Sequence, residues 1–96
     1  MAAYVIAEIE VTDQATYDEY RKQVPASVEK HGGRFIARGG KLEALEGGWA
    51  PKRLVLLEFP DLEAAKRFYE STQYQDAKRL RKGAAGLNMV AVEGVA

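Results

Sequence analysis

Hydrophobic and polar residues alternate along three short stretches of this chain, which is the pattern of strands that bury one face of a sheet. The stretches cover residues 4–11, 34–38 and 53–59. In each, one set of alternating side chains is mainly apolar, and the other set mixes apolar residues with isolated charges. The pattern predicts a sheet with one apolar face and one mixed face that carries Glu8, Arg34, Arg38 and Glu58.

A helix is predicted between the first two strands. Thr12 or Asp13 can cap its start, and Gly32 can take the left-handed conformation that ends a helix at His31. Pro25 predicts a kink or a break into two shorter helices. The apolar residues that recur at helical spacing in this segment are Tyr17, Tyr20, Val24 and Val28.

Two further helices and a last strand are predicted after the third strand. Asp61 is a candidate cap for the first of these helices, and Ser71 or Thr72 for the second. Residues 87–93 predict the last strand, and residues 42–45 are a candidate short strand in an irregular segment. The order is β-α-β-β-α-β with an extra helical turn, which is typical of the α+β ferredoxin-like fold. We expect a single domain over residues 1–96, with a four-stranded antiparallel sheet and helices on one face.

The uncovered face of such a sheet would expose a contiguous apolar patch, which monomers rarely tolerate. A second sheet is the simplest cover, and a two-fold homodimer supplies one. We therefore predict a homodimer in which two sheets pack face to face. The patch consists of Tyr4, Ile6, Ile36, Leu54 and Leu56.

Composition excludes several classes of site. The chain has 14 basic and 14 acidic residues, so no strong field attracts nucleic acid or anionic membrane, and we expect neither partner. It has no cysteine and one histidine, which excludes thiolate nucleophiles, cysteine-bound metals and multi-histidine sites within one chain. We expect no metal and no cofactor. Since no signal peptide and no apolar stretch of ~20 residues is visible, we expect a cytoplasmic protein.

Three residues are candidates for acid–base catalysis. Glu8 and Glu58 are expected to face one cavity, because we predict that the first and third strands are parallel neighbours. Two close carboxylates in a poorly solvated space raise the pKa of one of them, which makes a proton donor. His31 has an ordinary pKa suited to proton transfer near neutral pH. The structural alternatives are that arginines neutralise the glutamates and that His31 interacts with a helix end.

Candidate ligand-binding residues are Arg34 and Arg38, which can hold a carboxylate or enolate through two hydrogen bonds. Tyr69 and Tyr74 can offer a hydroxyl to a pocket, although aromatic residues at helical spacing are commonly core. The basic run at residues 78–82 is interpreted as a solvated helix face.

Hairpin geometry divides these charges between two places. The second and third strands form a hairpin in which Arg34 is the expected neighbour of Glu58. This predicts a cluster of Glu8, Glu58 and Arg34 at one end of the sheet. Arg38 is predicted to lie toward the other end, as a dimer or loop contact.

An ordered set of short segments resembles the domain-of-unknown-function 1330 family. They are Tyr17-x-x-Tyr20, Gly32-Gly33-Arg34-Phe35, Ala37-Arg38-Gly39-Gly40, Glu46-Gly47, Glu58-Phe59-Pro60, Ala64-Ala65, Ser71-x-x-Tyr74-Gln75 and Leu80-Arg81. The resemblance covers essentially the whole chain and implies the dimeric α+β barrel fold. That group includes cofactor-independent quinone-forming monooxygenases, muconolactone isomerases and heme-binding members. His31 stands where this family is expected often to have tyrosine.

The leading functional hypothesis is a homodimer with a pocket for a small oxygenated or anionic organic molecule. The pocket is a candidate site for cofactor-independent oxygenase or isomerase chemistry. The alternative is a non-catalytic ligand-binding or purely structural dimeric module. Fold-level analogy does not choose between them.

Overall fold

A computed structural model describes residues 1–95 of the protein. Within that range, no helix is long and apolar enough to cross a membrane. The elements are β1 (Ala3–Val11), α1 (Gln14–Lys30), β2 (Arg34–Arg38), β3 (Leu54–Phe59), α2 (Leu62–Glu70), α3 (Thr72–Leu80) and β4 (Ala85–Glu93).

The four strands form one antiparallel sheet in the order β2-β3-β1-β4. This is the predicted α+β ferredoxin-like arrangement. The predicted parallel pairing of the first and third strands is wrong, because β1 and β3 run antiparallel. In the observed register Tyr4 lies opposite Glu58, and Glu8 lies opposite Leu54.

Local side-chain caps set the beginnings of the three helices. The carboxylates of Asp13 and Asp61 accept hydrogen bonds from the backbone N–H groups of Thr16 and Ala64, and the Ser71 hydroxyl accepts one from Tyr74. Each bond satisfies an N–H that has no partner within the helix. The caps predicted at Asp13, Asp61 and Ser71 are confirmed.

Two other local predictions are wrong, one for the first helix and one for the segment after β2. Helix α1 runs continuously through Pro25, so a break there is wrong. Residues 42–45 form no strand and belong to an irregular segment that connects β2 and β3. The first helix ends at His31, where Gly32 takes a positive φ of 77° as predicted.

The core lies between the sheet and the helices. Phe59 on β3 packs against Phe68 on α2, and Phe68 packs against Tyr74 on α3, with ring centroids 5.2 and 4.9 Å apart. Gly33 is required beside this stack, because a Cβ there would lie 2.5 Å from the Phe59 ring. The helices therefore cover one face of the sheet. On the other face Ile36, Val90 and Val92 remain exposed.

A β-bulge in β2 moves Arg38 to the helix-covered face. Arg34 pairs with Glu58, but the register shifts between Phe35 and Ala37, so that Arg38 lies opposite the buried Val55. A bulge inserts one unpaired residue and reverses the facing of the side chains after it. Simple alternation predicted Arg34 and Arg38 on one face. That prediction is wrong.

Candidate ligand-binding cleft

A cleft of about 510 Å³ opens between the edge strand β4 and helices α2 and α3. This volume lies within the range of small-molecule sites, roughly 300–1,000 Å³. Its apolar wall comes from alternate residues of β4 and from the first strand and α2. The wall includes Val5, Phe68, Leu87 and Met89, and the polar rim includes Lys66, Tyr69, Glu70, Lys78 and Arg81.

Tyr69 and Lys78 form a polar pair at the rim of this cleft. The Lys78 ammonium donates a hydrogen bond of 2.8 Å to the Tyr69 hydroxyl. The two residues come from different helices, α2 and α3, which are separated at Ser71 by one residue with extended backbone dihedrals. The hydrogen bond and the positive charge of Lys78 lower the pKa of the Tyr69 phenol. An ammonium beside a phenol favours the ionised phenolate, which can accept a proton.

Arg81 adds a second cation behind this pair. Its guanidinium lies 5.3 Å from the ring centroid of Tyr20, and its Nε is buried without a hydrogen-bond partner in residues 1–95. The cleft thus combines an apolar wall with convergent donors, which is the general composition of a binding site for a small organic anion.

Of the predicted ligand-binding tyrosines, the structure places Tyr69 in this cleft and Tyr74 in the core beside it. Tyr74 is fully buried, and its hydroxyl lies 2.9 Å from the hydroxyl of Tyr20. Burial raises the pKa of Tyr20, so the Tyr20 hydroxyl stays protonated at neutral pH.

Glu58 and Arg34 meet as hairpin geometry predicted. Arg34 Nε lies 2.8 Å from Glu58 Oε1 on the open face of the sheet. The hydrogen bond from Arg34 lowers the pKa of Glu58. A raised pKa, as expected for a pair of carboxylates, is therefore not found. The catalytic role of Glu58 stays a prediction.

Glu8 does not join the predicted cluster, because the antiparallel register places it at the opposite end of β1 from Glu58. Glu8 is four residues along β1 from Tyr4, the partner of Glu58, which corresponds to roughly 14 Å at ~3.4 Å per residue. Instead, the Glu8 carboxylate accepts a hydrogen bond of 2.8 Å from the indole N–H of Trp49 and a longer one of 3.4 Å from Asn88. Glu8 thereby holds the irregular β2–β3 segment against the sheet.

His31 lies at the end of α1 and does not line the cleft. Its Nδ1 is 2.7 Å from the carbonyl oxygen of Ser27, so Nδ1 carries the hydrogen and donates it. The ring packs edge-on to Phe68 at 6.3 Å. This geometry fits a residue that stabilises the last helical turn, and the catalytic role of His31 stays a prediction.

Lys78 and Arg81 were not among the predicted site residues, because the basic run was interpreted as a solvated face. Tyr74, Lys78 and Arg81 are spaced i, i+4 and i+7, so they lie on one side of α3 and its final turn. Tyr74 has the spacing of a core residue, so residues four and seven positions later are expected on the same inward side of the helix. This spacing distinguishes Lys78 and Arg81 from the other two cations of the basic run, Arg79 and Lys82. Among residues 1–95, no three His, Cys, Asp or Glu side chains gather closely enough to hold a metal ion.

Comparison with known families gives a match over nearly the whole chain. The family model of a domain of unknown function, DUF1330, covers residues 2–95. The chain belongs to this family. No curated protein sequence matches it.

Solved structures similar to this DUF1330 protein share its fold. A protein of unknown function from Rhodopseudomonas palustris has a TM-score of 0.77 and 15% identity, over 99% of this chain and 83% of that one. SnoaB, a cofactor-independent oxygenase from Streptomyces nogalater, has a TM-score of 0.65 and 9% identity, over 99% and 94%. A dimeric ferredoxin-like protein of unknown function from Bacteroides fragilis has a TM-score of 0.62 and 12% identity, over 97% and 96%. At these identities the likeness establishes architecture.

Proposed function

We propose that this DUF1330 protein is a homodimer that binds a small, planar organic anion in the cleft between β4 and helices α2 and α3. The Tyr69–Lys78 hydrogen bond beside Arg81 is the observation that carries this proposal. An apolar wall favours an aromatic or conjugated ring, and two adjacent cations favour a carboxylate or an ionised hydroxyl on that ring.

The same groups support a chemical step. Isomerisation of an unsaturated acid and oxygenation of a phenol can both begin with removal of an acidic C–H or O–H proton. Tyr69, with its lowered pKa, is the candidate base, since its phenolate can accept that proton. Lys78 and Arg81 are placed to stabilise the resulting enolate or phenolate. The description of SnoaB as a cofactor-independent oxygenase supports this class of reaction by fold analogy.

The homodimer is supported by the open face of the sheet. Ile36, Val90 and Val92 are 42%, 59% and 49% exposed, and Tyr4, Ile6, Leu54 and Leu56 lie half-buried beside them. A second copy would cover these side chains with its own sheet. A structurally similar protein from Bacteroides fragilis is described as dimeric, which agrees with this arrangement.

A non-catalytic dimeric module is the second candidate, and the Arg34–Glu58 pair favours it. This pair lies on the open face, where a partner sheet would enclose it. A lowered pKa keeps Glu58 ionised, which suits a fixed ion pair that sets the register of two sheets. In this alternative the charges of the sheet are structural and the cleft binds a ligand without transforming it.

Calorimetric titration with salicylate, a planar hydroxy-aromatic anion, tests ligand binding, and salicylamide is its neutral control. We expect saturable binding of salicylate and much weaker binding of the amide. Lys78→Gln should weaken binding about tenfold or more, because it removes one charge-assisted hydrogen bond. Lys82→Gln is the matched control, since Lys82 belongs to the same basic run but does not line the cleft. Equal losses in both variants would contradict a specific site.

A further inference from the structure

Three arginine side chains converge at the end of the helix–sheet interface that is formed by α1, β2 and β3. Arg21, Arg38 and Arg53 all line one narrow gap beneath Tyr17 and Tyr20. The Arg38 guanidinium donates a hydrogen bond of 2.9 Å to the backbone carbonyl of Arg21. Burial, together with the charges of Arg21 and Arg53, lowers the pKa of Arg38.

Within residues 1–95, these three cations lack an anionic partner, since none of them forms an ion pair with a carboxylate. Arg53 Nε is buried there without a hydrogen-bond partner, and the Arg53 guanidinium lies against Gly39, where a Cβ would collide with Nη1. Like charges gathered without counter-charge repel one another. The absence of a side chain at Gly39 therefore leaves space for the Arg53 guanidinium, although Arg21 and Arg38 line the same gap.

A ligand can approach this cluster only from outside. The inner gap has a volume of about 30 Å³, which is the space of a single water molecule. Arg38 also lines an open groove of about 310 Å³ on the outer side of α1, together with Asp18, Arg21, Lys22 and Pro25. Lys22 is paired with Glu19, and the Asp18 carboxylate accepts a hydrogen bond from Gln14. Arg21 and Arg38 are the groove's unpaired cations within residues 1–95.

We propose that the groove at Arg21 and Arg38, with Arg53 behind it in the inner gap, is an oxyanion site that binds a phosphate group. Guanidinium groups match phosphate oxygens in geometry and remain charged, and two of them in the groove can balance a doubly charged group. The site is separate from the cleft beside β4, and the inference does not depend on the cleft or its ligand.

Calorimetric titration of the full chain with inorganic phosphate, at constant ionic strength, tests this site. We expect saturable binding that Arg21→Gln weakens about tenfold or more. This variant keeps the hydrogen bond to Arg38, because that bond uses the backbone carbonyl of residue 21. Arg67→Gln is the matched control, an exposed cation on α2 that lines neither the groove nor the gap.

Asp18→Asn provides the opposite test. Removing a carboxylate from the groove should tighten phosphate binding severalfold. Arg38→Gln should weaken phosphate binding. A thermal unfolding curve of this variant checks that it is folded. Absence of saturable binding to the wild-type chain would overturn the proposal. So would equal weakening by Arg21→Gln and Arg67→Gln, since it would show nonspecific attraction by net charge.

Discussion

The Arg38 side chain donates a hydrogen bond to the backbone carbonyl of Arg21, at 2.9 Å. In an uninterrupted helix that carbonyl would accept from the N–H of residue 25, but residue 25 is proline and has no N–H. An arginine from the neighbouring strand thus replaces the donor that the proline removes. This contact explains how α1 continues through Pro25 without leaving the Arg21 carbonyl unsatisfied.

Arg38→Met should therefore destabilise the protein by about 0.5–1.5 kcal/mol, the net contribution of one solvent-accessible hydrogen bond. In a Pro25→Ala background the helix regains its own N–H donor, so the same substitution should cost less. Urea unfolding of the four proteins in this double-mutant cycle measures the coupling. Costs that simply add would contradict the relationship.

Tyr69 should ionise at higher pH once Lys78 is replaced. Lys78 lowers the pKa of the phenol, so Lys78→Gln should move it upward toward the ordinary value of about 10. Ultraviolet absorbance of the phenolate, taken as the difference between each protein and its Tyr69→Phe version, measures this titration. An unchanged pKa in Lys78→Gln, or an equal shift in Lys82→Gln, would show that the pair does not set it.

The Arg34–Glu58 pair should make stability depend on acid pH. Because the pKa of Glu58 is lower when folded, the pair stabilises the fold above the unfolded carboxyl value of about 4.3 and loses this effect as the pH falls through the folded value. Thermal unfolding against pH should separate wild type from Glu58→Gln at neutral pH and bring them together in acid. In an Arg34→Gln background, adding Glu58→Gln should have little effect at any pH.

The losses of stability caused by removing the two hydroxyls of the buried Tyr20–Tyr74 pair should not add. Tyr74→Phe leaves the Tyr20 hydroxyl buried without its partner, which costs about 1–3 kcal/mol. Replacing both tyrosines by phenylalanine removes both polar groups and should recover part of that loss. Denaturant unfolding of the three variants measures this. A double variant as unstable as the sum of the single ones would contradict it.

The open sheet face should control oligomeric state. Val92→Lys places a charge on the open face that forms the proposed interface and should give a monomer by light scattering at micromolar concentration. Leu80→Lys is the control, since Leu80 is similarly exposed, at 43% against 49%, but lies on α3 in the helix layer. A wild-type chain that is already monomeric would contradict the proposed homodimer.

Local signals in the sequence predicted the fold well. Asp13, Asp61 and Ser71 act on backbone groups within three residues, so their effect could be inferred without tertiary information. Alternation located three strands, and the β-α-β-β-α-β order predicted the sheet that is found. The partnership of Arg34 with Glu58 followed from hairpin geometry alone.

Features that depend on long-range register were not predicted. The predicted grouping of Glu8 with Glu58 depends on parallel β1 and β3 strands, and the antiparallel pairing that is found separates the two carboxylates. The bulge between Phe35 and Ala37 reverses the facing of Arg38, and the residues 34–38 carry no glycine or proline that signals it. Lys78 and Arg81 line the cleft because α3 packs against α1 and α2 in a way that brings these two side chains to the same cleft as β4. That packing belongs to the tertiary fold.

The most direct test of the central claim is a titration of the folded protein with salicylate, in which changes in the backbone amide chemical shifts locate the binding site. We predict saturable changes on β4 around Leu87 and Met89 and on the helices at Tyr69 and Lys78, with a dissociation constant that rises about tenfold or more in Lys78→Gln and is unchanged in Lys82→Gln. Changes confined to the open sheet face or to the groove at Arg21 and Arg38, or changes that do not saturate, would contradict a binding site in the cleft.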